Sequence, residues 1–385
     1  MKKSVIILFV LFAFSSLFAE IISDKHHNFS VDLPEGFNIV QADEEHYSYL
    51  FSHPNIPVSL VLKVENKEEH AATDVFSIQM RKLKATYEEA PVYWRSNGGE
   101  DLIGSFEMTL DTEYKGWGVT ACLESDNGFN FITLLAYAPK GQFDMCQQFI
   151  ISLLNSLTVN DETCEKPGIF MAYAFPKEGN KNIALNIGKK KISTTIDKSD
   201  EEASQYLVDL EFAVLSLYAN HPLWKEAWQR YYRLVFRDNY GRLSKASKDI
   251  HKALYEDCKK ARKEDPDTEY VSRLLSWVQG FKYERNQTAH SSDLTPPVLA
   301  LCGDGNDCDS RSLLLCCIMQ KSSINSILLI SREYSHALCA FDVKGQGQRF
   351  ETDYGSFLMC ETTAPVTPGM IAQEHADRSK WILVD

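Results

Sequence analysis

The chain has 385 residues, 44% of them hydrophobic and 24% charged, and a formal net charge of −13. That balance belongs to globular protein, and the length exceeds what one hydrophobic core usually organises, so two domains are expected. So acidic a chain has no electrostatic reason to seek nucleic acid or anionic lipid, and neither is expected as a partner.

The first residues, "MKKSVIILFVLFAFSSLFAE", place two lysines before an apolar run from Val5 to Phe14 and end in Leu17-Phe18-Ala19. This is the layout of a cleavable secretory signal over residues 1–19. The run is shorter than the roughly 20 residues a membrane-spanning helix needs. No cysteine follows the cut, so a lipoprotein anchor is not expected, and no later stretch reads as a span. The expectation is a periplasmic or secreted bacterial protein. In such a compartment ten cysteines invite disulfides. Cys146, Cys316, Cys317, Cys339 and Cys360, however, sit in apolar helix or strand patterns where cysteine acts as a small hydrophobe, so at most a few bridges are expected.

Residues 20–160 read as one α+β unit. "FSVDLPEGFNIV", "YSYLFSH" and "VSLVLKV" are short strands separated by turn residues, and "DVFSIQMRKLKATYEE" is a helix. Further strands are "VYWRS", "IGSFEMTL", "WGVTACLE" and "FNFITLLAYAP". A closing helix carries Cys146, Phe149, Ile150, Leu153, Leu154 and Leu157 at spacings of three and four, the stripe that packs on a sheet. The order of elements, with "LPEGF" early and "FDMCQQFIISLLNSL" last, resembles PsbP-like domains, which implies an antiparallel sheet with flanking helices. His26-His27 is read as a solvated start rather than a metal site.

Polar residues with Pro167 and Gly168 mark a linker over 161–168, and the second unit runs from 169 to 385. "IFMAYAFP" and "IALNIGKKKISTTI" look strand-like, and helices then dominate. In the first of these Trp224, Trp228, Tyr231 and Val235 share a face. Arg230, Arg233 and Arg237 lie between them, which is read as an aromatic core stripe with arginines paired or capping other elements, not as a nucleic-acid platform. "NFS" at Asn28 and "NQT" at Asn286 match the glycosylation pattern but carry little weight in a bacterial chain.

The chemistry concentrates in "GDGNDCDSRSLLLCCIMQ". Turn residues precede an apolar helix, so Cys308 stands at a helix start with Asp307 or Asp309 available as cap. A helix N-terminus favours thiolate, and the neighbouring aspartates oppose it, so a histidine partner is needed. "REYSHALCAFDV" supplies His336 on a strand, on one face with Leu338 and Ala340, while "SFLMCETTAP" ends another strand at Glu361. Nucleophile, base and orienting carboxylate on three elements is the logic of a catalytic triad. A disulfide between Cys302 and Cys308 remains the bland alternative. Zinc is not expected, because the Cys302–Cys308 gap exceeds the usual spacing and no second pair follows.

"WVQGFKY", "GDGNDCDSRSLLLCCIM", "SHALCAFDV" and "ETTAP", taken in this order, resemble the transglutaminase-like superfamily, with its papain-like cysteine peptidase/transglutaminase fold, over about 270–370. The resemblance implies a helix packed on an antiparallel sheet. It makes Cys308 the nucleophile, His336 the base and Glu361 the acid, with Asp353 in "TDYGS" as the alternative acid. A glutamate stands where the family usually has aspartate, and "GDGNDC" lengthens the usual Gly-Asp-Cys approach. Gln279 matches a glutamine of bacterial relatives and is an oxyanion-donor candidate as much as a surface residue. The implied activity is acyl transfer from a protein or peptide amide through an acyl-enzyme, hydrolysis favoured over transamidation, with no cofactor and no metal. The rival is an inert envelope interaction protein whose binding half is the N-terminal one.

Overall fold

The computed structural model describes residues 21–66, 71–95, 100–123, 130–285, 292–303 and 306–384. The signal-like start and Asn286 lie outside them. The fold is α+β, and among the described residues no helix is long and apolar enough to cross a membrane.

The N-terminal half begins with a hairpin of β1 (Ile21–Asp24) and β2 (Phe29–Asp32). There His27 is buried, its Nδ1 2.7 Å from Asp24, rather than solvated. Next come β3 (Asn38–Asp43), β4 (Ser48–Ser52), β5 (Ser59–Asn66), α1 (Ala72–Leu83), β6 (Thr86–Val92), β7 (Asp101–Thr109), β8 (Glu113–Leu123), β9 (Asn130–Pro139) and α2 (Phe143–Asn155). β3 to β9 form one antiparallel seven-stranded sheet in the order β3-β4-β5-β9-β8-β7-β6. Period two sends Leu60, Leu62 and Val64 to the face covered by α2 and Val61 to the face covered by α1. α1 ends at Leu83 because Lys84 turns left-handed (φ 53°), and the β-rich "TYEEAPV" then joins the sheet edge. The Phe76 ring lies directly on the sheet: a Cβ at Gly104 would come within 2.5 Å of it, so α1 needs glycine there.

The segment 161–168 carries a short helix, α3 (Asp161–Cys164), with Thr163 buried. "IFMAYA" is helix α4 (Ile169–Ala174), not the expected strand. A short apolar run has no periodicity to separate the two, and the cap at Gly168, close against Asn155, decides for helix. A hairpin, β10 (Asn180–Ile187) and β11 (Lys190–Asp197), precedes four helices: α5 (Asp200–Ser216), α6 (Trp224–Arg242), α7 (Ser244–Ala261) and α8 (Pro266–Gln279). After α9 (Pro297–Leu301) comes α10 (Cys308–Lys321), buried around nearly its whole circumference as its continuous apolar run requires. It lies against a five-stranded antiparallel sheet of order β14-β15-β13-β12-β16. These strands are β12 (Ser326–Ser331), β13 (His336–Phe341), β14 (Arg349–Thr352), β15 (Gly355–Cys360) and β16 (Ile382–Val384).

α5 and α6 tie the halves together. Leu207, Leu210, Val214 and Ala227 join the apolar layer of α2. The α6 arginines do what their interleaved pattern predicts. Arg233 makes two bonds to Asp32, at 3.0 and 3.1 Å, and Arg230 reaches Glu211 at 3.2 Å. Arg237 donates to the carbonyls of Asn155, Ser156 and Leu157 at the C-terminal end of α2, and to those of Thr163 and Lys166. These are among the carbonyls that a helix end leaves without partners.

Candidate active site

Cys308 is the first residue of α10, and Asp307 is its cap, its Oδ1 accepting from the Ser310 N–H at 3.0 Å. None of the ten cysteines, Cys302 included, is joined in a disulfide. The Cys308 side chain is 1% exposed and meets β13 at the Ala337 N–H. Its thiol donates to Asp309 Oδ1 at 3.1 Å. Asp309 is half-buried and takes the Tyr232 hydroxyl on its other oxygen. Burial, then the charges of Asp309 and Asp307, push the thiol far above its ordinary range. Burial and Asp309 likewise push Asp307 up to about 7. In this arrangement Cys308 is a protonated thiol.

His336 opens β13 and Glu361 follows the last residue of β15. His336 Nε2 lies 2.8 Å from Glu361 Oε2. The other carboxylate oxygen accepts from the Thr363 N–H at 2.8 Å and the Thr363 hydroxyl at 2.6 Å. Burial raises the Glu361 carboxyl, but the His336 bond and charge and the two Thr363 donors outweigh it and hold the group at about 2. With Glu361 ionised, Nε2 is the ring nitrogen that donates to the carboxylate, and Nδ1 is the nitrogen turned away from it.

The strand period decides which face each group uses. Ala337, Cys339 and Phe341 point to α10 and share its core with Cys308, whereas Leu338 and Ala340 point to the opposite face, toward Trp381. The His336 ring belongs to that second face, 5.1 Å from the His375 ring and 6.3 Å from Trp381. The structure therefore brings His336 and Glu361 together and sets Cys308 against the backbone of the same strand end. The thiol donates to Asp309, and no bond from it to His336 is present among the described residues.

The remaining candidates fall elsewhere. Asp353 is exposed in the turn between β14 and β15, and the imidazole takes Glu361 instead. Gln279 is not an open oxyanion donor here: its amide nitrogen gives to the carbonyls of Glu361 at 2.8 Å and Val366 at 2.9 Å. It thereby anchors the loop that carries the carboxylate. Arg311 does related work unmarked by any motif. It is 1% exposed and donates to Asn306 Oδ1, the Phe281 carbonyl and the Thr362 carbonyl, so it ties the Cys308 helix to the Glu361 loop. Two further groups were missed, Tyr232 and His375; neither lies in a local pattern, because both reach the site from distant elements.

No family model matches the chain, and no curated protein is similar to it. Among solved structures it is similar to the cyanobacterial PsbP (CyanoP) of Synechocystis, at 12% identity and a TM-score of 0.30 over 39% of this chain and 98% of that one. LpqN of Mycobacterium tuberculosis, described as involved in cell envelope biogenesis, aligns at 10% identity and TM-score 0.28 over 34% and 83%. An E65A mutant of the protein Mog1 aligns at 9% and 0.27 over 37% and 96%.

Proposed function

We propose that this chain is an exported, transglutaminase-like cysteine enzyme that opens protein or peptide amides through an acyl-enzyme on Cys308, with water as the favoured acceptor. The observation that carries the reading is the His336–Glu361 pair, whose carboxylate is held by two Thr363 donors beside the strand end that the Cys308 thiol touches. A carboxylate on Nε2 leaves Nδ1 as the base. In the reaction the thiol leaves Asp309 and the His336 ring turns round the end of β13 to meet it, so that the thiol gives its proton to that nitrogen as sulfur attacks the carbonyl. The imidazolium, supported by Glu361, then protonates the departing amine, and water resolves the thioester. The Ala337 N–H, already at the sulfur, is a backbone donor at the reacting centre. The N-terminal half, PsbP-like in its order of elements, would serve as a docking module in the envelope.

A second reading has its own observation. The Cys308 thiol is buried, hydrogen-bonded to a carboxylate and protonated, which suits a silent site in an envelope interaction protein. An activated ester separates the two. Folded, reduced protein is incubated with the p-nitrophenyl ester of a blocked amino acid and each cysteine is read by mass spectrometry. The enzyme reading expects the acyl group on Cys308 and its loss in His336→Ala. Acylation confined to exposed thiols such as Cys164, with Cys308 unmodified, overturns it and leaves the interaction protein.

A further inference from the structure

Three ligand-bearing side chains meet on the face of the sheet away from α10. One ligand atom from each of His336, Glu361 and His375 lies within 4.8 Å of the other two. The third member comes from the C-terminal segment between β15 and β16, where Trp381 Nε1 holds the His375 carbonyl at 2.9 Å. The His375 ring lies tilted against that of Tyr334, with centroids 4.8 Å apart. Its buried Nδ1 finds no hydrogen-bond partner among the described residues, and neither does the buried hydroxyl of Tyr334. A buried polar atom without a partner costs about 1–3 kcal/mol. Two such atoms on neighbouring rings, with the His375 ring 5.1 Å from that of His336, are what a missing electrophile would satisfy.

The geometry points to a divalent transition-metal site, of zinc type, formed by His336, Glu361 and His375. The donor set, two imidazoles and one carboxylate, is of the kind zinc takes, with bonds of about 2.0–2.2 Å and a fourth position open. His336 Nε2 and Glu361 Oε2, now 2.8 Å apart, need to separate only slightly to share an ion. The supporting shell is present: Thr363 holds the second carboxylate oxygen twice, so that Oε2 alone faces the cluster, and Trp381 positions the His375 backbone. Calcium, which takes six to eight oxygen ligands, has no comparable set here. The site does not depend on a working Cys308. If the acyl-transfer reading holds, a bound ion occupies His336 and Glu361 and so withdraws the base, which makes the metal an inhibitor.

The test is calorimetric titration of the full, reduced chain with zinc chloride, beside calcium chloride and a His375→Ala variant. One zinc per chain is expected, with no calcium uptake. The variant should bind at least about tenfold more weakly, the smaller of the losses that even outer-shell changes produce. Cobalt substituted for zinc reports the donors: visible bands of a low-coordinate ion without the near-ultraviolet absorption of a thiolate–cobalt bond. Should His375→Ala not fold, Glu361→Gln keeps the ring packing and removes a ligand, and the same loss is expected. Absence of stoichiometric zinc binding, zinc binding unchanged by either variant, or a thiolate signature in the cobalt spectrum overturns the proposal. The zinc titration does not use Cys308, and the acylation test is run on metal-free protein, so either idea can fail alone.

Discussion

Replacing Asp309 by asparagine should wake the Cys308 thiol. The half-buried carboxylate sits 3.1 Å from the sulfur and accepts its proton. Two unit charges in contact at that distance repel by about 5 kcal/mol at an effective dielectric constant of about 20. A thiolate that swings away to about 5–6 Å still feels about 3 kcal/mol, or roughly two pKa units. Asparagine keeps the shape and an oxygen for the Tyr232 hydroxyl, and it turns an N–H toward the sulfur. The thiolate fraction at fixed pH should therefore rise about a hundredfold. The assay is the rate of Cys308 modification by a small methanethiosulfonate reagent, read on its peptide from pH 6 to 9. Burial limits access equally in both proteins, so the ratio of rates reports ionisation. A ratio below about three in a protein that remains folded would refute the claim that Asp309 keeps this thiol protonated.

Glu361→Gln should cost stability in a pH-dependent way. The folded carboxyl titrates at about 2, below its unfolded value near 4.3, so its contribution is full above about pH 4.5 and drains away as pH falls toward 2. Urea denaturation should show the variant less stable by on the order of 3 kcal/mol at pH 7, with the gap closing in acid; a gap independent of pH would contradict this. Arg237→Ala should cost a comparable amount, because it strips donors from the carbonyls ending α2 as well as those of Thr163 and Lys166. A loss of about 3 kcal/mol in the same denaturation assay is expected, and a loss under about 1 kcal/mol would mean that water replaces the guanidinium.

How far the site could be read in advance depends on the range of the interactions concerned. Cys308 at a helix start capped by Asp307 follows from turn residues running into an apolar stretch, which is local information. The pairing of His336 with Glu361 is a strand-end juxtaposition, and the resemblance in the order of segments pointed to it. Tyr232 and His375 escaped because each meets its partner through packing between distant elements, as did the anchoring role of Gln279, which the sequence marks as an oxyanion-donor candidate instead. The same holds for α4, whose apolar run suits strand and helix alike until its Gly168 cap is seen against Asn155. The thiol is the instructive case, because the competing effects were both visible. A helix N-terminus offers sulfur the equivalent of about half a positive charge spread over its unpaired N–H groups. Burial of the sulfur is the largest cause that raises the thiol's pKa, and Asp309 adds negative charge at hydrogen-bond contact, with Asp307 nearby. Half a charge at a distance does not offset burial and a carboxylate in contact together. The direction of the Asp309 side chain at the first helical turn is set only when Tyr232 of α6 arrives to hold it.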